Sequence, residues 1–370
     1  MVHLKIDKKI MKYKLFLLLI VLATFGFAQA PAGYYSSATG SGYTLKTQLK
    51  NIIKNGHIDQ GYSALYDAYE TSDTDSFYEN DNTVLDMYSE NPSGTDPYNY
   101  THGARKCGNY NSENDCYNRE HIFPQGFFNS QTPMRTDIHH VVPSDGSVNG
   151  RRSNYPFGEV TNANHTSLNG SKVGNNTVFG YSGIVFEPID EFKGDIARML
   201  FYFATRYEDD VTDSSWDDPN DSANNPLNGT NNQVYDQWYI QLLYKWHLED
   251  PVSQREIVRN NEAYDFQGNR NPFIDHPEYV SEIWSSVLST ESFNKTSFNI
   301  YPNPNVNGTL YINTNTKINV NIYNVLGKIV LNYKIDANTN SINISSLPKG
   351  VYLIKCNTAS TSITKKLIKK

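Results

Sequence analysis

Apolar positions along the chain recur first at helical spacing and, towards the end, at strand spacing. Thr44 opens a pattern that puts Leu45, Leu49, Ile52 and Ile53 on one face, and a second apolar segment runs through Leu65, Tyr66 and Tyr69. Val84-Leu85-Asp86-Met87-Tyr88 reads as a strand, and residues 90–117, rich in Asn, Gly, Ser and Tyr, predict a long ordered loop or meander. Two short apolar runs follow, each closed by proline: Asn118-Arg119-Glu120-His121-Ile122-Phe123-Pro124 and Asp137-Ile138-His139-His140-Val141-Val142-Pro143. Both read as strands. The second leads through Ser144 or Asp145, good N-caps, into a helical turn that carries Asn149. The expected local order is strand, crossing, strand, helix.

The clearest helix covers residues 191–207, with Ile196, Leu200, Phe203 and Tyr207 on one stripe and Arg198 and Arg206 elsewhere on its surface. Residues 209–232 are Asp/Asn/Ser-rich and predict an exposed insertion without the regular acidic spacing of a calcium loop. Val234, Tyr235, Trp238, Leu242 and Trp246 return to helical spacing, and Asp250-Pro251 and His276-Pro277 each resemble a cap followed by Pro at the first helical position. The polar stretch from Gln267 to His276 reads as a structural loop or as a second wall of a site. From about Ser297 the period becomes two, as in Leu310-Tyr311-Ile312, Ile318-Asn319-Val320-Asn321-Ile322-Tyr323 and Val351-Tyr352-Leu353-Ile354. That predicts a small β-sandwich with no acid, base or metal cluster.

Residues 11–30 have the form of a secretory signal, with Lys12 and Lys14 ahead of an apolar run too short to span a bilayer. Pro31 disfavours a cut directly after Ala30, which places it near Ala28, and Met11 is an alternative start. The expected organisation is therefore a leader (1–28), a main domain (31–290) and a C-terminal module (297–370).

Composition narrows the function. With 370 residues, 38% apolar and 13% aromatic, the chain has enough material for a real core. A net charge of −7 argues against a protein that coats nucleic acid nonspecifically, yet leaves room for an enzyme with a small basic patch. Export permits a disulfide, and Cys107 and Cys116 enclose a short loop. A bond there constrains the unfolded chain by roughly 2–3 kcal/mol and fixes the entry to the Glu120 strand, leaving Cys356 reduced. The paired short spacings of a cysteine zinc site are missing.

Hydrolysing a phosphodiester requires a base for water, a cation for the developing charge, and groups that orient both. His121 suits the base, because an imidazole titrates near neutrality. Glu120 and Asn149 offer a carboxylate and a carbonyl oxygen, a donor set that suits Mg²⁺, with Ca²⁺ or Mn²⁺ as alternatives. Arg119, Arg151 and Arg152 make a compact basic patch for phosphates. Successive side chains of a regular strand point to opposite faces, so placing Glu120 and His121 in one site predicts irregular backbone at the pair. Taken alone, the pair also reads as an ion pair with Arg119 beside a buried, hydrogen-bonded histidine.

Arg119-Glu120-His121 with Pro124, Asp137-x-His139-His140 with Pro143, and Asn149-Gly-x-Arg152-Ser-Asn154 together resemble the endonuclease I family of secreted and periplasmic nucleases. The match runs over about residues 85–284 and includes Gly194-Asp195-Ile196-Ala197-Arg198 and Gln267-Gly-Asn-Arg-Asn-Pro-Phe273. The resemblance implies an α+β fold with a ββα-metal nuclease core surrounded by helices. It further implies His121 as general base, Glu120 and Asn149 as ligands of one divalent metal, and cleavage of DNA, often of RNA too, leaving 5′-phosphate ends. Some members carry a disulfide-rich insertion with an arginine that contacts the scissile phosphate; residues 128–137 are too few to hold it, so that role either passes to Arg152 or Arg151 or is missing. Asp137, His139 and His140 are expected to hydrogen-bond behind the site or to pack in the core.

The tail has its own resemblance. Tyr301-Pro-Asn-Pro304, Asn324-Val-Leu-Gly327, Lys349-Gly-Val-Tyr-Leu353 and the closing lysines Lys365, Lys366, Lys369 and Lys370 resemble a type A sorting domain of type IX secretion. It implies passage across the outer membrane followed by removal of the module. The overall expectation is a secreted monomer whose partners are nucleic acid and the secretion machinery. Its rivals are a zinc hydrolase using His121, His139 and His140, and an adhesion protein whose Tyr/Asn-rich surface binds polysaccharide.

Overall fold

The structure, a computed structural model, describes residues 30–216, 224–288, 299–313, 317–324, 328–335, 341–357 and 362–370. The expected leader lies outside the described residues. The chain divides into two compact units, Met1–Leu288 and Ser289–Lys370. Among the described residues no helix is long and apolar enough to cross a membrane.

In the first unit, α1 (Gly42–Lys54) buries Leu45, Leu49 and Ile53 as its period requires. The same helix buries the Lys46 ammonium against Glu208, at 3.0 Å. After α2 (Leu65–Ser72) the chain enters a long irregular stretch. Residues 84–88, expected as a strand, instead lead into a turn: Ser89 N and Glu90 N donate to Asp86 O at 3.0 and 2.9 Å, and Tyr88 N donates to the Asp86 carboxylate at 2.8 Å. The local acid competes with a ladder for the backbone donors.

Strands β1 (Tyr117–His121) and β2 (Val141–Asp145) pair antiparallel, and α3 (Gly146–Arg152) follows β2 directly. A three-stranded antiparallel sheet comes next, β3 (Val160–Thr166), β4 (Lys172–Asn176) and β5 (Ile184–Glu187), in that order. Helix α4 (Lys193–Arg206) is buried from Gly194 to Arg206, so it runs through the core rather than along its edge. This corrects the expectation of surface arginines. Arg198 lies in the interior and grips Glu256 through two bonds of 2.5 and 2.8 Å, because a guanidinium enclosed on every side needs a paired carboxylate.

Helices α5 (Gln237–Glu249), α6 (Gln254–Gln267), α7 (Pro272–Asp275) and α8 (Tyr279–Leu288) complete the unit. Their starts differ from the expected ones. Asp250 closes α5 and accepts Gly194 N at 2.7 Å, while Ser253 and Glu256 form a capping box for α6. The Pro-led start falls at Asn271-Pro272, where Asn271 accepts from Phe273 N at 3.0 Å.

In the second unit the period-two segments pair into two antiparallel sheets. One is ordered β10 (Ser341–Asn343), β7 (Thr309–Asn313), β6 (Asn299–Tyr301). The other is ordered β12 (Ser362–Lys369), β11 (Gly350–Asn357), β8 (Ile318–Tyr323), β9 (Ile329–Ile335). Leu310 and Ile312 of one sheet and Val320, Ile322, Ile354 and Leu367 of the other share one apolar cluster, which makes this a β-sandwich. Cys356 is free and buried in the same cluster.

Candidate active site

The pairing of β1 with β2 is in regular register, from Tyr117 opposite Asp145 to His121 opposite Val141. No bulge separates Glu120 from His121; the strand simply ends at His121, and both residues line one cavity of about 330 Å³ with Asn118, Arg119, Asn149 and Arg152. Alternation still assigns their partners. Asn118 and Glu120 meet groups of α3, while Arg119 and His121 meet Tyr62.

Helix α3 is positioned from its first residue. Asp145 caps it by accepting from Val148 N at 2.9 Å, and its other oxygen accepts from Tyr100 Oη at 2.6 Å and from Asn114 N at 2.9 Å. The Asp145 N–H in turn donates to Asp86 at 2.7 Å. One turn on, Asn149 donates from Nδ2 to Asn118 Oδ1 at 2.7 Å and, more weakly, to Arg119 O at 3.4 Å. With its amide nitrogen turned to β1, Asn149 keeps Oδ1 as an oxygen donor at the cavity. Cys107 and Cys116 are joined by a disulfide, and a Cβ at either Gly146 or Gly150 would overlap the ring of Tyr110 from the loop it closes. The disulfide loop therefore rests on α3.

Glu120 is 1% exposed and receives the Tyr88 hydroxyl at 3.0 Å. Burial pushes its carboxyl up, opposed by the Arg152 charge, whose Nε lies 3.4 Å away, and by the Tyr88 hydrogen bond. Arg152 itself is buried. Its Nη1 donates to His121 O and Ser153 O, both at 3.2 Å, and its Nη2 donates to Ile122 O at 2.5 Å. The phosphate contact expected of Arg152 is corrected by this geometry: both terminal nitrogens are already spent on carbonyls. Arg151, on the opposite side of the same turn, is exposed and does not line the cavity.

His121 donates from Nε2 to Arg135 O at 3.1 Å, which leaves Nδ1 as the acceptor of the neutral ring. Burial, followed by the neighbouring His140, pushes its pKa down to about 3. Arg119 donates to Tyr62 O at 2.7 Å and stacks 3.4 Å from the ring centre of Tyr62, with its Nε unbonded. Arg135 stacks on the same ring at 4.1 Å. Tyr62, Tyr88, Asn118 and Arg135 went unnoticed in the sequence because no spacing links them; only the fold brings 62, 88 and 135 to this strand.

Asp137, His139 and His140 stand behind β2 and are all buried. Asp137 accepts four bonds, from Tyr202 and Tyr207 hydroxyls at 2.8 and 2.6 Å, Gln267 Nε2 at 2.7 Å and His139 N at 3.1 Å. His139 donates to Asn269 O at 3.0 Å and His140 to Met134 O at 2.7 Å. The three imidazoles spend Nε2 on three different carbonyls, and among the described residues they do not bring three ligand atoms within 4.8 Å of one another, so they do not form the donor set of the zinc reading. The stretch from Gln267 supports this cluster and does not line the cavity.

Glu120 and Asn149 offer the cavity a carboxylate and an amide oxygen, a pair that fits a hard divalent cation. Comparison with known proteins agrees with that chemistry. The sequence profile of Endonuclease I matches residues 41–278, and that of the Secretion system C-terminal sorting domain matches residues 299–370. An extracellular ribonuclease of Bacillus amyloliquefaciens is 37% identical over 257 residues, 68% of this chain and 78% of that protein. One from Bacillus subtilis (strain 168) is 36% identical over 258 residues, with the same two shares, 68% and 78%. Endonuclease-1 of Buchnera aphidicola subsp. Baizongia pistaciae is 24% identical over 141 residues, 38% of this chain and 46% of that protein.

Proposed function

Because the chain belongs to the endonuclease I family and ends in a secretion sorting domain, we propose that this secreted nuclease hydrolyses phosphodiester bonds of DNA and RNA at the β1–β2–α3 cavity. In this reading β1, β2 and α3 are a ββα-metal core. The Bacillus relatives are named ribonucleases and the Buchnera relative an endonuclease, which supports putting RNA beside DNA.

His121 is the general base. Its Nδ1 takes a proton from water, the water oxygen bonds to phosphorus, and the bond from phosphorus to O3′ breaks. The phosphate then stays on the 5′ end, and O3′ collects a proton from solvent. Burial keeps the ring neutral at neutral pH, and the negative charge of an arriving phosphate raises its basicity. Glu120 and Asn149 would hold one divalent ion, which supplies positive charge beside the phosphate when bound. Tyr88 and Arg152 orient Glu120, and Asn118 orients Asn149. Arg119, half-buried and lining the cavity, takes the phosphate contact, and Arg135 adds charge across Tyr62.

The observation that carries this reading is the fixed tautomer of His121 in the cavity shared with Glu120 and Asn149. Plasmid nicking with Mg²⁺, with and without chelator, tests it. His121→Ala is expected to lower the rate by roughly 10²–10⁴-fold at a temperature below the onset of its melting, where the variant is folded. Nicking that survives in this variant, or that ignores the chelator, overturns the assignment.

A further inference from the structure

Away from the cavity, Asp75, Glu79 and Glu90 each bring a carboxylate oxygen within 4.8 Å of the others. Asp75 and Glu90 are each 1% exposed. The backbone aims Asp75, since Phe77 N and Tyr78 N donate to Oδ1 at 3.2 and 3.0 Å and Glu79 N donates to Oδ2 at 3.1 Å. By contrast, Glu90 Oε1 and Glu79 Oε2 are buried with no hydrogen-bond partner.

An unbonded carboxylate oxygen in a dry place is costly unless something positive reaches it. Burial pushes Glu90 up to about 9, and the charges that act on it, Asp96, Glu79, Asp75 and Asp86, are all carboxylates. Among the described residues no salt bridge joins Asp75, Glu79 or Glu90 to a basic side chain. The site therefore has only oxygen donors, no paired cationic side chain among the described residues, and unbonded oxygens on Glu79 and Glu90.

We propose that Asp75, Glu79 and Glu90 hold a calcium ion at a second cation site, distinct from the cavity of Glu120 and Asn149. Calcium takes oxygen ligands at about 2.3–2.6 Å in flexible geometry, so oxygens up to 4.8 Å apart match opposite sides of one ion. Magnesium is smaller, keeps its waters and demands an octahedron that an irregular loop does not preform. The ion ties the 75–79 loop to the end of the turn that begins at Asp86, and that turn carries two supports of the cavity: Asp86, which accepts Asp145 N, and Tyr88, which donates to Glu120.

The test uses the purified chain carrying Glu120→Ala, which silences the other cation site, stripped with EGTA and titrated with CaCl₂ while its melting is followed. A saturable rise in Tm of roughly 5–10 °C at a hundredfold excess over Kd is expected. Adding Glu90→Gln should abolish the rise, and without calcium that protein should melt close to its parent, since an amide replaces a carboxyl that burial already keeps neutral. No rise in the Glu120→Ala protein overturns the proposal, as does a rise of equal size with Glu90→Gln. A MgCl₂ titration with the same midpoint overturns the choice of calcium.

Discussion

Two arginines near the site show how contacts, rather than residue type, decide a role. Arg152 is enclosed and holds the His121, Ile122 and Ser153 carbonyls, whereas Arg119 is half-buried, lines the cavity and holds one carbonyl, that of Tyr62. Arg152→Ala leaves three carbonyls and a buried carboxylate without their partner, and should lower stability by about 3–5 kcal/mol. Arg119→Ala should change stability by less than about 1 kcal/mol while slowing cleavage roughly 10²-fold. Urea denaturation read beside plasmid nicking separates them, and a destabilised Arg119→Ala protein would count against its role at the phosphate. The sequence put Glu120, His121 and Asn149 forward because those donors suit a nuclease metal, and the fold brings the three to one cavity. It could not rank Arg119, Arg151 and Arg152, since their order depends on which guanidinium α3 turns inward.

At the scale of elements, β2 owes its position to the buried cluster at its start. Burial holds the His139 and His140 rings down to about 4, against the pull of Asp137. Their folded pKa values lie below the unfolded value near 6.5, so their contribution to stability is whole above about pH 6.5. It is lost as pH falls towards 4, by about 1.4 kcal/mol per pH unit for each ring. Between about pH 7 and about pH 5 the denaturant midpoint of the parent should therefore fall relative to that of His139→Asn; parallel profiles for the two proteins would contradict the burial argument. Burial alone would raise Asp137, yet the surrounding imidazoles and the Tyr207 hydroxyl hold it well below the usual range, so it matters only in stronger acid. Period and proline spacing foretold β1, β2 and α3. They missed the turn at Asp86, where a side chain captures the backbone, and the immersion of α4, because an apolar stripe does not reveal that the opposite face is covered too.

Over the whole molecule, the change from helical to alternating periodicity near residue 297 has its counterpart in two units that meet after Leu288 in the chain. Each unit has its own apolar cluster. The routing of 90–117 was not legible, since Asn, Gly, Ser and Tyr carry no period. The bond from Cys107 to Cys116 straps that segment, leads straight into β1, and sets Tyr110 on the helix that carries Asn149. Its consequence concerns the producing cell. Inside the cytoplasm, where thiols stay reduced, newly made chains would lack the strap, and the host's own genome would face an enzyme whose helix is not yet seated. Cys107→Ser with Cys116→Ser, or treatment with dithiothreitol, should leave a folded protein with reduced nicking; full activity in the thiol form would mean that self-protection has another origin.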